Sequence, residues 1–146
     1  MGHGAHGRRD QRGRAQALYR RMEEILARHP DVAECAVLAV HDELKGQVPV
    51  GFVVLKAGAN RDSQELVAEL IQMVREQLGA IASFKRAAVV ERLPKTRSGK
   101  ILRGTMRSIA DGESYKVPST IDDPAILPEI EAAVGGMGYG SKQHTL

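Results

Sequence analysis

Two short apolar runs joined by a polar connection constrain this chain more than any other feature. Val32 to Val40 reads VAECAVLAV, Val48 to Leu55 reads VPVGFVVL, and His41 to Gln47 (HDELKGQ) lies between them. Both runs have the length and valine content of strands, and a short link between such runs predicts an antiparallel pair. Pro49 sits near the entry of the second run, where a missing N–H is tolerated. The core these strands face is aliphatic, because 42% of the 146 residues are hydrophobic while only 3% are aromatic and Trp is absent.

Helical patterns flank the pair. Met22, Ile25 and Leu26 have helical spacing, and Pro30 ends that segment. Asp62 followed by Glu65 has the form of a capping box. Leu66, Val67, Leu70, Ile71, Val74 and Leu78 then mark one face of a helix that Gly79 stops. Ala87 to Val90 predicts a third short strand. Ile101, Leu102, Thr105, Met106 and Ile109 predict a further helix ending near Gly112, and Glu113 to Pro124 reads as extended and polar. Ile126 to Val134 predicts a last helical turn or two from near Pro128, before a glycine-rich, flexible tail over residues 135–146. The expected fold is α/β (α+β): a short sheet with an antiparallel strand pair and packed helices, occupying residues 22–134. No apolar run approaches the roughly 18 residues of a membrane span.

The string Leu93-Pro94-Lys95-Thr96-Arg97-Ser98-Gly99-Lys100-Ile101-Leu102-Arg103 carries the chemistry. Gly99 lets the backbone turn sharply. Lys100 is then presented at a loop tip with Lys95, Arg97 and Arg103 nearby, where an ammonium can stabilise charge on a phosphate or carboxylate. A solvated basic turn is the competing reading of the spacing alone. Cys35 lies in an apolar run and reads as an inert thiol in a reducing compartment. His29 and His41 read as boundary residues rather than ligands, and no metal site is expected. The phosphate-loop pattern Gly-x-x-x-x-Gly-Lys-Ser/Thr does not occur.

Pro94-Lys95-Thr96-Arg97-Ser98-Gly99-Lys100 closely resembles the C-terminal signature of the acyl-CoA synthetases of the adenylate-forming superfamily. The segment HPDVAECAVLAVHDELKGQVPVGFVVLKAG, from His29 to Gly58, is similar to the opening of their small C-terminal lid domain. Gly79 to Lys85 (GAIASFK) and Ser119 to Pro124 (STIDDP) look more like the propionyl-CoA than the acetyl-CoA branch. The resemblance covers Met22 to about Val134. It implies a ligase chemistry in which a short-chain carboxylate attacks the α-phosphate of ATP, giving an acyl-adenylate and pyrophosphate. The small domain then rotates, and the thiol of coenzyme A displaces AMP. Lys100 is thereby implied as the adenylation lysine, with Ser98 and Gly99 in the loop that presents it. Arg75 matches an arginine that contacts the nucleotide end of coenzyme A; its plain alternative is a cation favoured at a helix C-terminus. The implied partner is a large N-terminal adenylation domain, absent from these residues, through which Mg2+ is expected to enter. By itself the chain is expected to be inactive and cytoplasmic, with neither nucleic acid nor membrane as partner.

Residues 1–21 depart from that resemblance. They hold six arginines (Arg8, Arg9, Arg12, Arg14, Arg20, Arg21) against one acid, Asp10, a balance of +5 that leaves −2 for the rest of a chain of net +3. The ligases read something like GRTDDVINVAGHRLSTG here, a hinge and a glycine-centred loop; this chain reads GAHGRRDQRGRAQALYR from Gly4 to Arg20. Every position allows one string to be the other read one nucleotide out of phase. Residues 1–21 therefore read as an out-of-frame, disordered arm, with His3 and His6 accidental. Two other functions stay open: a small basic module for nucleic acid or acidic partners, and a freestanding accessory domain that complements a separate adenylation domain. The domain's acidic balance and the lack of stacking aromatics near its basic residues argue against the first.

Overall fold

The structure, a computed structural model, describes residues 3–42, 46–60, 62–79 and 84–136. Its elements are α1 (His3–Ala27), β1 (Val32–Asp42), β2 (Gly46–Leu55), α2 (Ser63–Leu78), β3 (Arg86–Val90), α3 (Arg103–Ala110) and α4 (Ile126–Gly136). No helix among the described residues is long and apolar enough to cross a membrane.

The strands form one mixed sheet in the order β1-β2-β3. β1 and β2 are antiparallel, as the short link predicts, with Ala36 opposite Phe52 and Leu38 opposite Val50. β3 runs parallel to β2, so α2 is the crossover between them. Side chains of a strand point alternately to opposite faces, and here both faces are covered. Ala36, Leu38, Val40, Val50, Phe52, Val54 and Val90 pack with α3 and α4. Val32, Val37, Val53 and Ala87 pack with α1 and α2. Double coverage explains why the strands read as continuous apolar runs rather than alternating ones.

α2 forms where its local signals place it. The Asp62 carboxylate accepts the Glu65 N–H at 3.1 Å, and Leu66, Leu70 and Val74 are buried. Gly79 closes the helix at φ +82°, its N–H donating to the Arg75 carbonyl. Phe84 lies over β2, close to Gly51: a Cβ on Gly51 would stand 2.9 Å from the Phe84 ring. The carbonyl and N–H groups of β1 that face away from β2 form an edge, and two carboxylates cover it. Glu23 accepts from Val37 N–H and Asp111 from His41 N–H, each at 2.8 Å.

Three expectations differ from the structure. The first helix begins at His3 rather than near Met22, so residues 3–21, read as a disordered arm, are helical. Their Arg, Ala, Gln and Leu are good helix formers, no proline intervenes, and Leu18 and Tyr19 pack against the α1–α2 core. Ile101 and Leu102 precede α3 instead of opening it, because Ile101 pairs with Lys95. Of the expected tail, Gly135 and Gly136 end α4, while residues 137–146 lie outside the described residues, as does Ala80–Ser83 of the GAIASFK segment.

Candidate functional site

The lysine signature folds as a hairpin between β3 and α3. Leu102 N–H donates to the Pro94 carbonyl at 2.9 Å, and Thr96 N–H to the Lys100 carbonyl at 2.8 Å. Gly99 N–H closes the turn on the Thr96 carbonyl at 2.8 Å. Gly99 holds φ +94°, and a Cβ there would meet nothing within 4 Å. Backbone conformation, rather than space, therefore requires glycine. The Thr96 hydroxyl accepts the Lys100 N–H at 3.1 Å and lies 2.9 Å from the Ser98 hydroxyl. Both backbone polar groups of Lys100 are thus engaged by Thr96, and only the exposed side chain is left to move.

A strap from the far side of the chain fastens this hairpin. Arg97 N–H donates to the Thr120 carbonyl at 3.0 Å and Asp122 N–H to the Lys95 carbonyl at 2.9 Å, with Thr96 bridged to Ile121. Ile121 is buried in the α3–α4 core, and Leu93 anchors the other end. Asp123 then accepts the Arg92 guanidinium and the Ala125 N–H, at 2.8 and 3.0 Å. Those two bonds hold the Asp123 carboxyl below its ordinary range, the Ala125 N–H contributing most.

The cations of the signature are not equivalent. Lys95 is paired with Glu34 of β1, and Arg103 forks onto Glu23 of α1. Among the described residues neither the Arg97 guanidinium nor the Lys100 ammonium has a side-chain partner. The two glutamates and the strap escape a reading of the sequence because their partners are distant in the chain, and Thr96, bonded to Ser98 and Lys100 two and four residues on, escapes it because composition does not fix the side-chain bonds of a turn.

Arg75 is exposed in the last turn of α2 and is not brought to the Lys100 loop. α2 packs on one face of the sheet, whereas Leu93, Ile101 and Leu102 around the loop pack on the other. His29 is buried, its Nδ1 accepting Asp31 N–H at 3.1 Å, which leaves Nε2–H to donate to Glu69 at 2.8 Å. That is a structural role. Cys35 is half-buried and donates to the Glu23 carbonyl; burial and then Glu23 push its thiol up to about 11. Among the described residues no group of three His, Cys, Asp or Glu could hold a metal.

The AMP-binding enzyme C-terminal domain family matches residues 21–100, more than half of the chain, and this chain belongs to that family. An uncharacterized protein of Pseudomonas aeruginosa is 64% identical over 113 residues, covering 77% of this chain and 18% of that protein. The mitochondrial acyl-CoA synthetase short-chain family member B of Dictyostelium discoideum is 53% identical over 110 residues, covering 75% of this chain and 16% of that protein. Among solved structures, the Brucella canis acyl-CoA synthetase superposes with a TM-score of 0.55 at 39% identity, over 60% of this chain and 16% of that one. The chain therefore spans less than a fifth of the curated relatives it matches. None of these similarities supports the basic binding module or the freestanding accessory domain.

Proposed function

We propose that this chain is the C-terminal portion of an AMP-forming short-chain acyl-CoA ligase and that Lys100 is its adenylation lysine. The observation that carries this reading is the Lys100 loop itself: a backbone clamped by Thr96 behind an exposed ammonium that has no side-chain partner among the described residues. A point charge on a four-carbon stem can follow a carboxylate and an α-phosphate as they approach, offsetting the repulsion between two anions. Gly99 and Ser98 shape the turn that presents it. ATP, coenzyme A and a short-chain carboxylate such as propionate or acetate are the substrates on this reading. Mg2+ enters with the nucleotide through the large N-terminal domain, the partner that supplies the nucleotide and acyl pockets.

Arg75 belongs to the second half-reaction, at the nucleotide end of coenzyme A. Its place on the layer opposite the Lys100 loop supports a rotation of the domain between steps, since a single orientation presents one face to a partner at a time. The compartment is the cytoplasm, in keeping with the lone thiol.

Residues 1–21 are, on this proposal, the out-of-frame reading of the ligase hinge. The family match beginning at residue 21 supports it, as does the phase compatibility of every codon from Gly4 to Arg20. Resequencing the locus across residues 1–25 and upstream tests this: one base should restore GRTDDVINVAGHRLSTG in frame with a large adenylation domain, and an unalterable frame sinks it. In the frame-restored enzyme, Lys100→Ala should abolish acyl-dependent pyrophosphate exchange. Thioester formation from preformed acyl-adenylate should survive, and equal loss of both steps overturns the assignment.

A further inference from the structure

Four cations crowd the segment from Lys95 to Arg103, and the fold treats them in two ways. Glu34 neutralises Lys95 and Glu23 neutralises Arg103. Arg97 and Lys100 stand exposed, three residues apart around a tight turn, with no carboxylate on either side chain among the described residues. The backbone beneath both is held by hydrogen bonds. Arg97 N–H is tied to the Thr120 carbonyl, and both backbone groups of Lys100 are tied to Thr96. An arrangement that neutralises the flanking cations and fixes two bare ones at the tip is suited to a ligand with two adjacent anionic groups.

We infer that Arg97 and Lys100 together form a diphosphate-binding tip, with Arg97 as the second cation. The guanidinium presents a planar fork that matches two oxygens of a phosphate, whereas the ammonium acts as a point charge beside it. This rests on the reading of Lys100 as the adenylation lysine and extends it. Lys100 serves the α-phosphate and the near end of the departing diphosphate, while Arg97 holds its far end. Thr96 is the positioning residue, since it sets the backbone from which Lys100 reaches. Lys95 and Arg103 are excluded from the site by their own glutamates.

The test uses the full 146-residue chain, isotope-labelled, titrated with pyrophosphate at low ionic strength while the Arg97 Nε and Lys100 Nζ signals are followed. Saturable shifts at both side chains are expected. Arg97→Gln and Lys100→Gln should each weaken binding about three- to fivefold, the scale of one exposed ion pair. Lys85→Gln removes the same charge just before β3, at the end of that strand away from the loop, and should weaken it by less than about 1.5-fold. Thermal unfolding of each variant reports whether the fold is kept. ATP should compete with pyrophosphate and AMP should not, if a nucleotide carries the diphosphate; pyrophosphate binding without ATP competition points to the free product instead. An unchanged affinity in Arg97→Gln overturns the second cation while leaving the Lys100 reading standing. An equal loss in Lys85→Gln means diffuse charge and overturns the site. Conversely, a weakened Arg97→Gln beside a frame-restored Lys100→Ala that still adenylates sinks the catalytic reading and keeps the tip.

Discussion

Glu23 and Arg103, 80 positions apart in the chain, form a forked ion pair that joins α1 to the first residue of the helix behind Lys100. Arg103 Nη2 donates to Glu23 Oε1 at 3.0 Å, and Nη1 pairs with Oε2. The same Oε2 accepts the edge N–H of Val37, and the Glu23 carbonyl accepts the Cys35 thiol. One residue just inside the family match thus fastens the sheet edge and the base of the Lys100 loop together.

Removing Glu23 should therefore cost more than removing Arg103. Glu23→Ala strips the acceptor from Val37 N–H as well as the fork, an expected loss of about 1–3 kcal/mol. Arg103 is half exposed, and Arg103→Met should cost at most about 1 kcal/mol. The double variant should fall short of the sum, because the pair is shared. Urea unfolding of the three variants measures all of this, and strict additivity contradicts a coupled pair.

Gly51→Ala should destabilise the chain by roughly 1–3 kcal/mol through overpacking. Its new methyl stands 2.9 Å from Phe84 Cζ and 3.4 Å from Leu26 Cδ1, inside the α1–α2 core. Phe84→Leu in the same background should recover part of the loss. A Gly51→Ala variant as stable as the parent in denaturant would show that Phe84 does not close on β2.

The Cys35 thiol should resist alkylation. Burial first and then Glu23 push it up to about 11, with Arg103 pulling the other way and Glu34 adding the smallest push. At pH 8 its thiolate fraction is about two orders of magnitude below that of an ordinary cysteine. Iodoacetamide should label the folded chain slowly at pH 8 and the urea-unfolded chain fast. Because the folded value is raised, the stability this thiol contributes is complete below the unfolded value. It is lost as pH climbs toward 11. Cys35→Ser should flatten that alkaline decline.

Asp123 gives the opposite slope. Ala125 N–H and Arg92 favour its charged form, so its carboxyl titrates below the ordinary aspartate range. Its contribution is present above the unfolded value near ~3.9 and is lost as pH falls through the lower folded one. A carbon-detected titration should place the midpoint below that value, and Arg92→Gln should raise it. A midpoint unmoved by Arg92→Gln would remove the Arg92 contact from the account.

Much of this protein is legible residue by residue. α2 follows from Asp62, six apolar positions on one face, and Gly79. The β1–β2 pair follows from two apolar runs and a short link, and Lys100 from a contiguous string. Each of these is a local statement about sterics, periodicity or capping, decided within a few turns of chain. The parallel pairing of β3, the strap over the hairpin and the burial of His29 against Glu69 are not legible in this way.

The sequence by itself determined the β1–β2 pair, α2 and the short β3, that the core is aliphatic, and that a lysine follows a glycine turn. Only the tertiary structure decided which cations stay bare. Lys95 and Arg103 read no differently from Arg97 in the string, and all three flank Lys100 in one short basic segment. Glu34 and Glu23, brought in from β1 and α1, neutralise two of them. Likewise the sheet, by covering both faces, placed Arg75 and the Lys100 loop on opposite layers. Periodicity tells which face of an element is buried, but a charge is paired by whatever lies across space from it, and that is set when distant segments pack.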